Sequence, residues 1–197
     1  VSYWPVLGAQ LRELVAGRDL ACAAPVFGVD RSSTENSSVL VTDSTNYLSL
    51  PASDAYFAAG DFTVTAWIYK RSCPQYSRLI DCSQADGTDA VVLAVNSYFG
   101  CVPFVNLYSD TTLIQSMVAS ASVVASAWTH VAFRSQAGYV SINIDGVQQG
   151  TTSGGSNVRV VNRTNCWIGR CSGSGPPYTD AYFDEIRIFN RALTQTE

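Results

Sequence analysis

FTVTAWIYK, residues 62 to 70, sets the fold class. Phe62, Val64, Ala66 and Ile68 alternate with Thr63, Thr65, Trp67 and Tyr69, the period of two that belongs to a strand with one face in a core. The second face is part polar and part aromatic, as expected for a sandwich strand whose outer side is partly covered. The pattern continues in both directions. YVSINIDG (139–146) puts Val140, Ile142 and Ile144 on one face and ends on Asp145-Gly146, a turn that takes positive φ, and WTHVAFR (128–134) is its natural partner. VLV (39–41), YLSL (47–50), RLIDC (78–82), VVLAV (91–95), VPFVNLY (102–108), CWIGR (166–170) and FDEIRIF (183–189) read as further strands. About ten to thirteen short strands in a chain of this length predict an all-β fold, an antiparallel two-sheet sandwich. LRELVAGRDLACAA (11–24) holds one helical turn at most because Gly17 interrupts it, and NRALTQ (190–195) reads as at most a two-turn helix.

The 197 residues suit one domain, 1–197, with 1–36 as a decorated N-terminal segment. Charged residues make up only 14% of the chain and the formal net charge is −4, with the twelve basic residues scattered. A phosphate backbone needs clustered Lys or Arg, so a nucleic-acid partner is not expected. No apolar stretch approaches the roughly eighteen residues of a spanning helix, so the domain itself is not expected to cross a membrane. VSYWPV at the start has neither a basic region nor a continuous apolar region, which predicts a removed signal peptide or an excised fragment.

Cys22, Cys73, Cys82, Cys101, Cys166 and Cys171 show no CxxC and no zinc spacing, and His130 is the single histidine. Disulfides are the expected use, which predicts an extracellular or cell-surface location, with the pairing left open. Cys166 and Cys171 are near enough in sequence to close a small loop, yet either is also free to reach Cys22 or Cys101. Asn36-Ser-Ser and Asn162-Arg-Thr fit the N-glycosylation acceptor pattern.

Taken in order, YLSLP, FTVTAWIY, WTHVAF, VSINIDG, CWIGR and FDEIRIFNRAL resemble the concanavalin A-like lectin/glucanase superfamily, and within it the laminin G-like and pentraxin-like jelly-roll domains. The resemblance runs over roughly residues 37 to 193, with WPV and VFGVDR as its weaker N-terminal part. It implies a jelly roll of two apposed sheets, one concave and one convex, with ligands on the concave face or the rim loops. It also implies that FDEIRIFNRAL is chiefly structural, and it makes a calcium site credible. Calcium takes hard oxygen ligands, so Asp184 is one candidate and the Asp43/Asn46 pair of the TDSTN turn is another; otherwise these side chains set turns through backbone amides.

Glucanases of the superfamily carry Glu-x-Asp-x-x-Glu on one strand, and the four glutamates here, Glu13, Glu35, Glu185 and Glu197, never fall into that pattern. GxSxG, GxxxxGK[ST] and GxGxxG are missing too, so the chain is expected not to be an enzyme. What remains is a recognition domain for a neutral carbohydrate of the cell surface or matrix, with protein adhesion or a structural spacer as the alternative. Trp4, Trp67, Trp128 and Trp167 sit in the strand motifs and read as core. Tyr98, Tyr108 and Tyr178, each beside Asn or Asp or in a loop, are the candidate sugar contacts, with Arg170 and Asp180 beside Tyr178 as a candidate rim.

Overall fold

The alternation of residues 62–70 becomes a central strand of a two-layer sandwich. The computed structural model describes all residues except 54, 58, 59, 86, 98, 99, 153 and 172–177. Among the described residues the strands are β1 (Ser2–Trp4), β2 (Val26–Gly28), β3 (Ser38–Val41), β4 (Leu48–Ser49), β5 (Phe62–Lys70), β6 (Arg78–Ser83) and β7 (Val91–Ala94). They continue as β8 (Phe104–Ser109), β9 (Thr112–Val118), β10 (Trp128–Gln136), β11 (Tyr139–Ile144), β12 (Val147–Thr151), β13 (Asn165–Ile168) and β14 (Ala181–Phe189). One sheet has eight strands in the order β12-β11-β10-β5-β14-β3-β2, with β1 paired to β14; the other has six, β4-β13-β6-β7-β8-β9. The strand ladders are antiparallel, so the chain is an all-β jelly-roll sandwich.

The core lies between the sheets and is filled by the residues whose period of two assigns them there. Phe62, Val64, Ala66, Ile68, Val131, Phe133, Ile142 and Phe183 enter from the larger sheet. Ile80, Cys82, Val91, Leu93, Val105, Leu107 and Ile168 meet them from the smaller. Burying these apolar surfaces is the main favourable term for a fold with so few long helical segments to draw on. The TDSTN turn carries the chain from the large sheet (β3) to the small one (β4), which is how adjacent strand motifs end in different layers.

Residues 1–36 are built into this frame. Trp4 is fully buried and its indole Nε1 donates to the Arg18 carbonyl at 2.8 Å, the partner that a buried indole requires. Glu13, also buried, accepts the backbone amides of Tyr3 (2.9 Å), Val15 (3.0 Å), Ala16 and Arg18 (3.3 Å). Burial opposes its charge, but those amides outweigh burial and hold the carboxyl below its usual range. No helical turn forms at 11–24: Val15, Ala16 and Arg18 give their amides to this carboxylate, and Leu14, Ala21 and Ala24 give theirs to the Tyr3, Ser49 and Thr45 carbonyls.

The C-terminal residues 190–197 form no helix either, against the expectation for NRALTQ. Arg191 and Thr194 bond to Glu197 within the tail, and several of its other polar groups bond to the large sheet. Thr63 Oγ1 donates to the Arg191 carbonyl (3.0 Å) and accepts the Leu193 amide (2.9 Å), and Arg134 Nη1 donates to the Leu193 carbonyl (3.0 Å). Gln195 Nε2 reaches the Gly146 carbonyl at 2.6 Å, so the tail is a strap across β5, β10 and the β11–β12 turn.

Two disulfides form, Cys73–Cys101 with Cα atoms 5.4 Å apart and Cys82–Cys166 with Cα atoms 4.0 Å apart. Cys166 therefore reaches across to β6 instead of closing a small loop with Cys171. Cys22 and Cys171 are free thiols, which corrects the expectation that all six cysteines pair. Cys22 lies near the Thr45 carbonyl and Cys171 beside the Arg78 guanidinium.

Candidate functional site

Register defines the outer face of the six-stranded sheet. Ser49, Trp167, Asp81, Val92, Asn106 and Ser116 stand opposite one another across successive strands. The next row, Leu48, Ile168, Ile80, Leu93, Val105 and Met117, fills the core, so the first row must point away from it. Trp167 thus stands on the outer face and not in the core, contrary to the sequence reading; Trp67 and Trp128 are half-buried on the other sheet, and Trp4 alone of the four is fully enclosed.

Around Trp167 the chain assembles a cluster. Tyr47 lies two residues before Ser49 with core residue Leu48 between, so it shares the outer side. Gly169 follows Ile168 with φ of 78°, and a Cβ there would collide with the Val41 side chain. This turn, available to glycine, is what sends Arg170 back over the sheet. The Arg170 guanidinium lies 4.6 Å from the Tyr47 ring centroid and 4.7 Å from that of Trp167. Tyr178 pairs with Arg170 through the backbone and stacks on Tyr47, with centroids 6.3 Å apart and planes at 27°. All four side chains are half-exposed. No carboxylate lies in an ion pair with Arg170 among the described residues, so its in-plane N–H donors are unspent while its faces rest on rings.

Further along the face, Ala90, Val92, Ala94 and Phe104 form an apolar patch with Tyr108 packed against it. Arg78 lies over Phe104 (5.4 Å) and Tyr76 (5.8 Å), and its Nε is 3.3 Å from Asp81 Oδ2. Of the expected sugar contacts, then, Arg170 and Tyr178 come together and Tyr108 shares their face. Asp180 turns elsewhere: it accepts the Ser72 hydroxyl at 2.6 Å and lies 3.6 Å from Arg71 Nη1, so it belongs to a loop brace and not to an Arg170 rim. Tyr98 lies outside the described residues. Tyr47 and Trp167 were missed by the sequence reading. The signal for Trp167 was present, because Cys166 and Ile168 on one side of CWIGR place Trp167 on the other.

The calcium candidates are engaged otherwise. Asn46 Oδ1 accepts the amides of Thr42 (2.7 Å) and Asp43 (3.1 Å), and Asp43 Oδ1 accepts the Thr45 amide and hydroxyl, both at 2.7 Å. These bonds set the TDSTN turn, and those to Thr45 hold the Asp43 carboxyl below its usual range. Asp184 lies on β14 just before a bulge, where Glu185 takes φ of 47° and shifts the register between Asp184 and Arg187. Its Oδ1 accepts the Glu185 amide (2.7 Å) and its Oδ2 lies 3.3 Å from Arg31 Nη1, while Arg31 Nη2 meets Glu185 at 2.8 Å and Arg187 meets Glu185 at 2.8 Å. Burial pushes the Asp184 carboxyl up to about 7; the Glu185 amide and Arg31 oppose that shift without cancelling it. An arginine stands where a cation would sit, and no group of three acids, histidines or cysteines able to hold a metal occurs among the described residues. Neither donor set fits calcium as it stands. Asn36 and Asn162 are both exposed.

Residues 42–197 match the Laminin_G_3 family of the concanavalin A-like lectin/glucanases superfamily, and the chain belongs to that family. No curated protein matches it in sequence. Domain 4 of AbnA, a GH43 extracellular arabinanase from Geobacillus stearothermophilus solved with arabinotriose, is similar in structure at 15% identity and a TM-score of 0.73, over 99% of this chain and 94% of that one. The botulinum neurotoxin serotype D binding domain is similar at 11% identity and a TM-score of 0.74, over 100% of this chain and 49% of that one. The sialidase of Trypanosoma rangeli in complex with sialic acid is similar at 15% identity and a TM-score of 0.67, where this chain spans only 31% of the enzyme. At these identities the likeness is one of fold.

Proposed function

We propose that the chain is a non-catalytic, extracellular recognition domain that binds neutral glycans on the outer face of its six-stranded sheet. The observation that carries this reading is Arg170 laid between Tyr47 and Trp167 with Tyr178 alongside. Rings half-open to solvent offer a flat apolar surface to a sugar ring, and a stacked guanidinium keeps its edge donors for hydroxyls. Tyr108 and Asn106 extend the same face, and Tyr98 stays a candidate from the sequence alone.

The acids on this face support the non-catalytic reading. The strands of this sheet carry a single carboxylate, Asp81, whose side chain is 1% exposed and faces Arg78. Glycoside hydrolysis needs two carboxyl groups across the scissile bond. Two disulfides suit an oxidising compartment, in which the exposed Asn36 and Asn162 would be open to glycosylation. The arabinotriose complex of the similar arabinanase domain supports the choice of a neutral sugar. Calcium is assigned no part in binding.

Titration calorimetry against a panel of neutral oligosaccharides tests the proposal. Trp167→Ala and Arg170→Ala are expected to weaken the best ligand at least about tenfold, roughly 1.4 kcal/mol each, with melting temperature little changed. A second reading, a protein partner, is favoured by the exposed Leu113, Val118 and Val147 along edge strands β9 and β12. It gains if no oligosaccharide binds.

A further inference from the structure

The outer face of the larger sheet carries a second, separate cavity. It measures 270 Å³ and lies between the C-terminal strap and strands β5, β10 and β11. Thr65, Ala132 and Asn143 form one row of its floor, and Thr63, Arg134 and Ser141 the next. Ala132 creates the hollow: its neighbours on β10 at the same face, His130 and Arg134, carry long side chains, while its own ends at a methyl. Leu193, held to Thr63 and Arg134 by the bonds of the strap, lies over the other side.

The lining is unusual in what it leaves unbonded. Thr65 is 8% exposed and Ser141 6% exposed, yet neither hydroxyl has a hydrogen-bond partner among the described residues, and both line the cavity. Neither hydroxyl is enclosed by protein, so both are free to bond a polar occupant of the cavity. Arg134 gives one N–H to the Leu193 carbonyl and has no carboxylate partner among the described residues, because the one acid lining the cavity, Glu197, spends both oxygens on Arg191 at 2.6 and 3.0 Å. His130, whose ring burial holds below its usual titration range, adds no compensating or competing charge at neutral pH. The volume falls below the roughly 300 Å³ at which drug-sized sites begin, so it fits one sugar ring and not a chain.

We infer that this cavity binds a single acidic sugar, a hydroxylated ring of hexuronate size whose carboxylate pairs with Arg134 and whose hydroxyls meet Thr65, Ser141 and Asn143. The site is independent of the neutral-glycan face. The test is a glucuronate titration of the ¹⁵N-labelled domain followed by amide shifts, with glucose in parallel. Saturable shifts at Thr65, Ala132 and Ser141 are expected, with glucuronate binding at least tenfold more tightly than glucose. Arg134→Gln, which keeps a donor for the Leu193 carbonyl, is expected to remove that tenfold preference. Ala132→Leu fills the hollow from the outer face, leaves the core untouched and is expected to abolish binding, with the dispersed spectrum reporting that the variant is folded. Equal binding of glucose and glucuronate, binding that survives either substitution, or no saturable shift would overturn the inference.

Discussion

On the eight-stranded sheet and its strap, Arg31, Arg187 and Arg191 meet carboxylates at 2.6 to 3.3 Å, whereas on the six-stranded sheet Arg170 meets the rings of Tyr47 and Trp167 and no acid. The first arrangement consumes donors and closes the surface; the second leaves donors at the edge of an aromatic platform. Covalent reinforcement divides in the same way. Cys82–Cys166 joins β6 to β13 directly beneath the platform, while the larger sheet is braced by ion pairs around the Glu185 bulge. The comparison points to a division of labour in which the stapled, ring-lined face recognises neutral glycans and the ion-paired region around the Glu185 bulge holds shape.

The staple is the largest lever on that contrast. Its cysteines lie 84 residues apart, and closing a loop of that size stabilises by about 4.5 kcal/mol in the chain-entropy account. A Cys82→Ser/Cys166→Ser double variant should lose about that much in urea unfolding at pH 7. A loss below about 1 kcal/mol would mean that the platform needs no covalent support.

Asp184 probes the other face through pH. Burial raises its carboxyl from 3.8 in the unfolded chain to about 7 in the folded one, so the folded state holds this proton more tightly between those values. Its contribution is complete below pH 4 and is lost as pH rises through 7. Asp184→Asn keeps an acceptor for the Glu185 amide and cannot ionise. The variant should therefore show a flatter stability curve from pH 4 to 7 and exceed the parent by about 1 kcal/mol at pH 8. If instead it is the weaker protein at pH 8, the Arg31 pair is a net contributor and the larger sheet depends on ionised Asp184.

The smallest effect concerns calcium. With Asp184 bonded to Arg31 and Asp43 bonded to Thr45, melting curves in calcium and in chelator should coincide within about a degree. A rise of several degrees in calcium would place a cation on one of these sets and undo the assignment of the acids to architecture.

Much of the fold was legible because period two is local. Val140, Ile142 and Ile144 declared an inner face, and Asp145-Gly146 takes the positive φ of 48° and 78° that its turn requires. The recognition face was only half legible. Arg170 and Tyr178 are close in sequence to one loop, but Tyr47 joins them only through the β4–β13 register and the turn at Gly169, which no local pattern encodes. Asp180 looked like a member of that rim, but its backbone carbonyl accepts the Arg71 amide at 3.0 Å just beyond β5 and its side chain bonds to Ser72 and Arg71. The carboxylate pair at 184–185 was ambiguous for a related reason: a bulge adds one residue to the strand, and Arg31, the partner that decides the role of both acids, lies more than a hundred residues away.

Mapping a neutral oligosaccharide onto the ¹⁵N-labelled domain tests the central claim most directly. The account predicts that the Trp167 indole and the amides of Tyr47, Arg170 and Tyr178 shift together and saturate, while Arg31, Trp67 and Asp184 stay still. Shifts confined to the Arg31–Asp184 face, or none at any concentration across the panel, would contradict it.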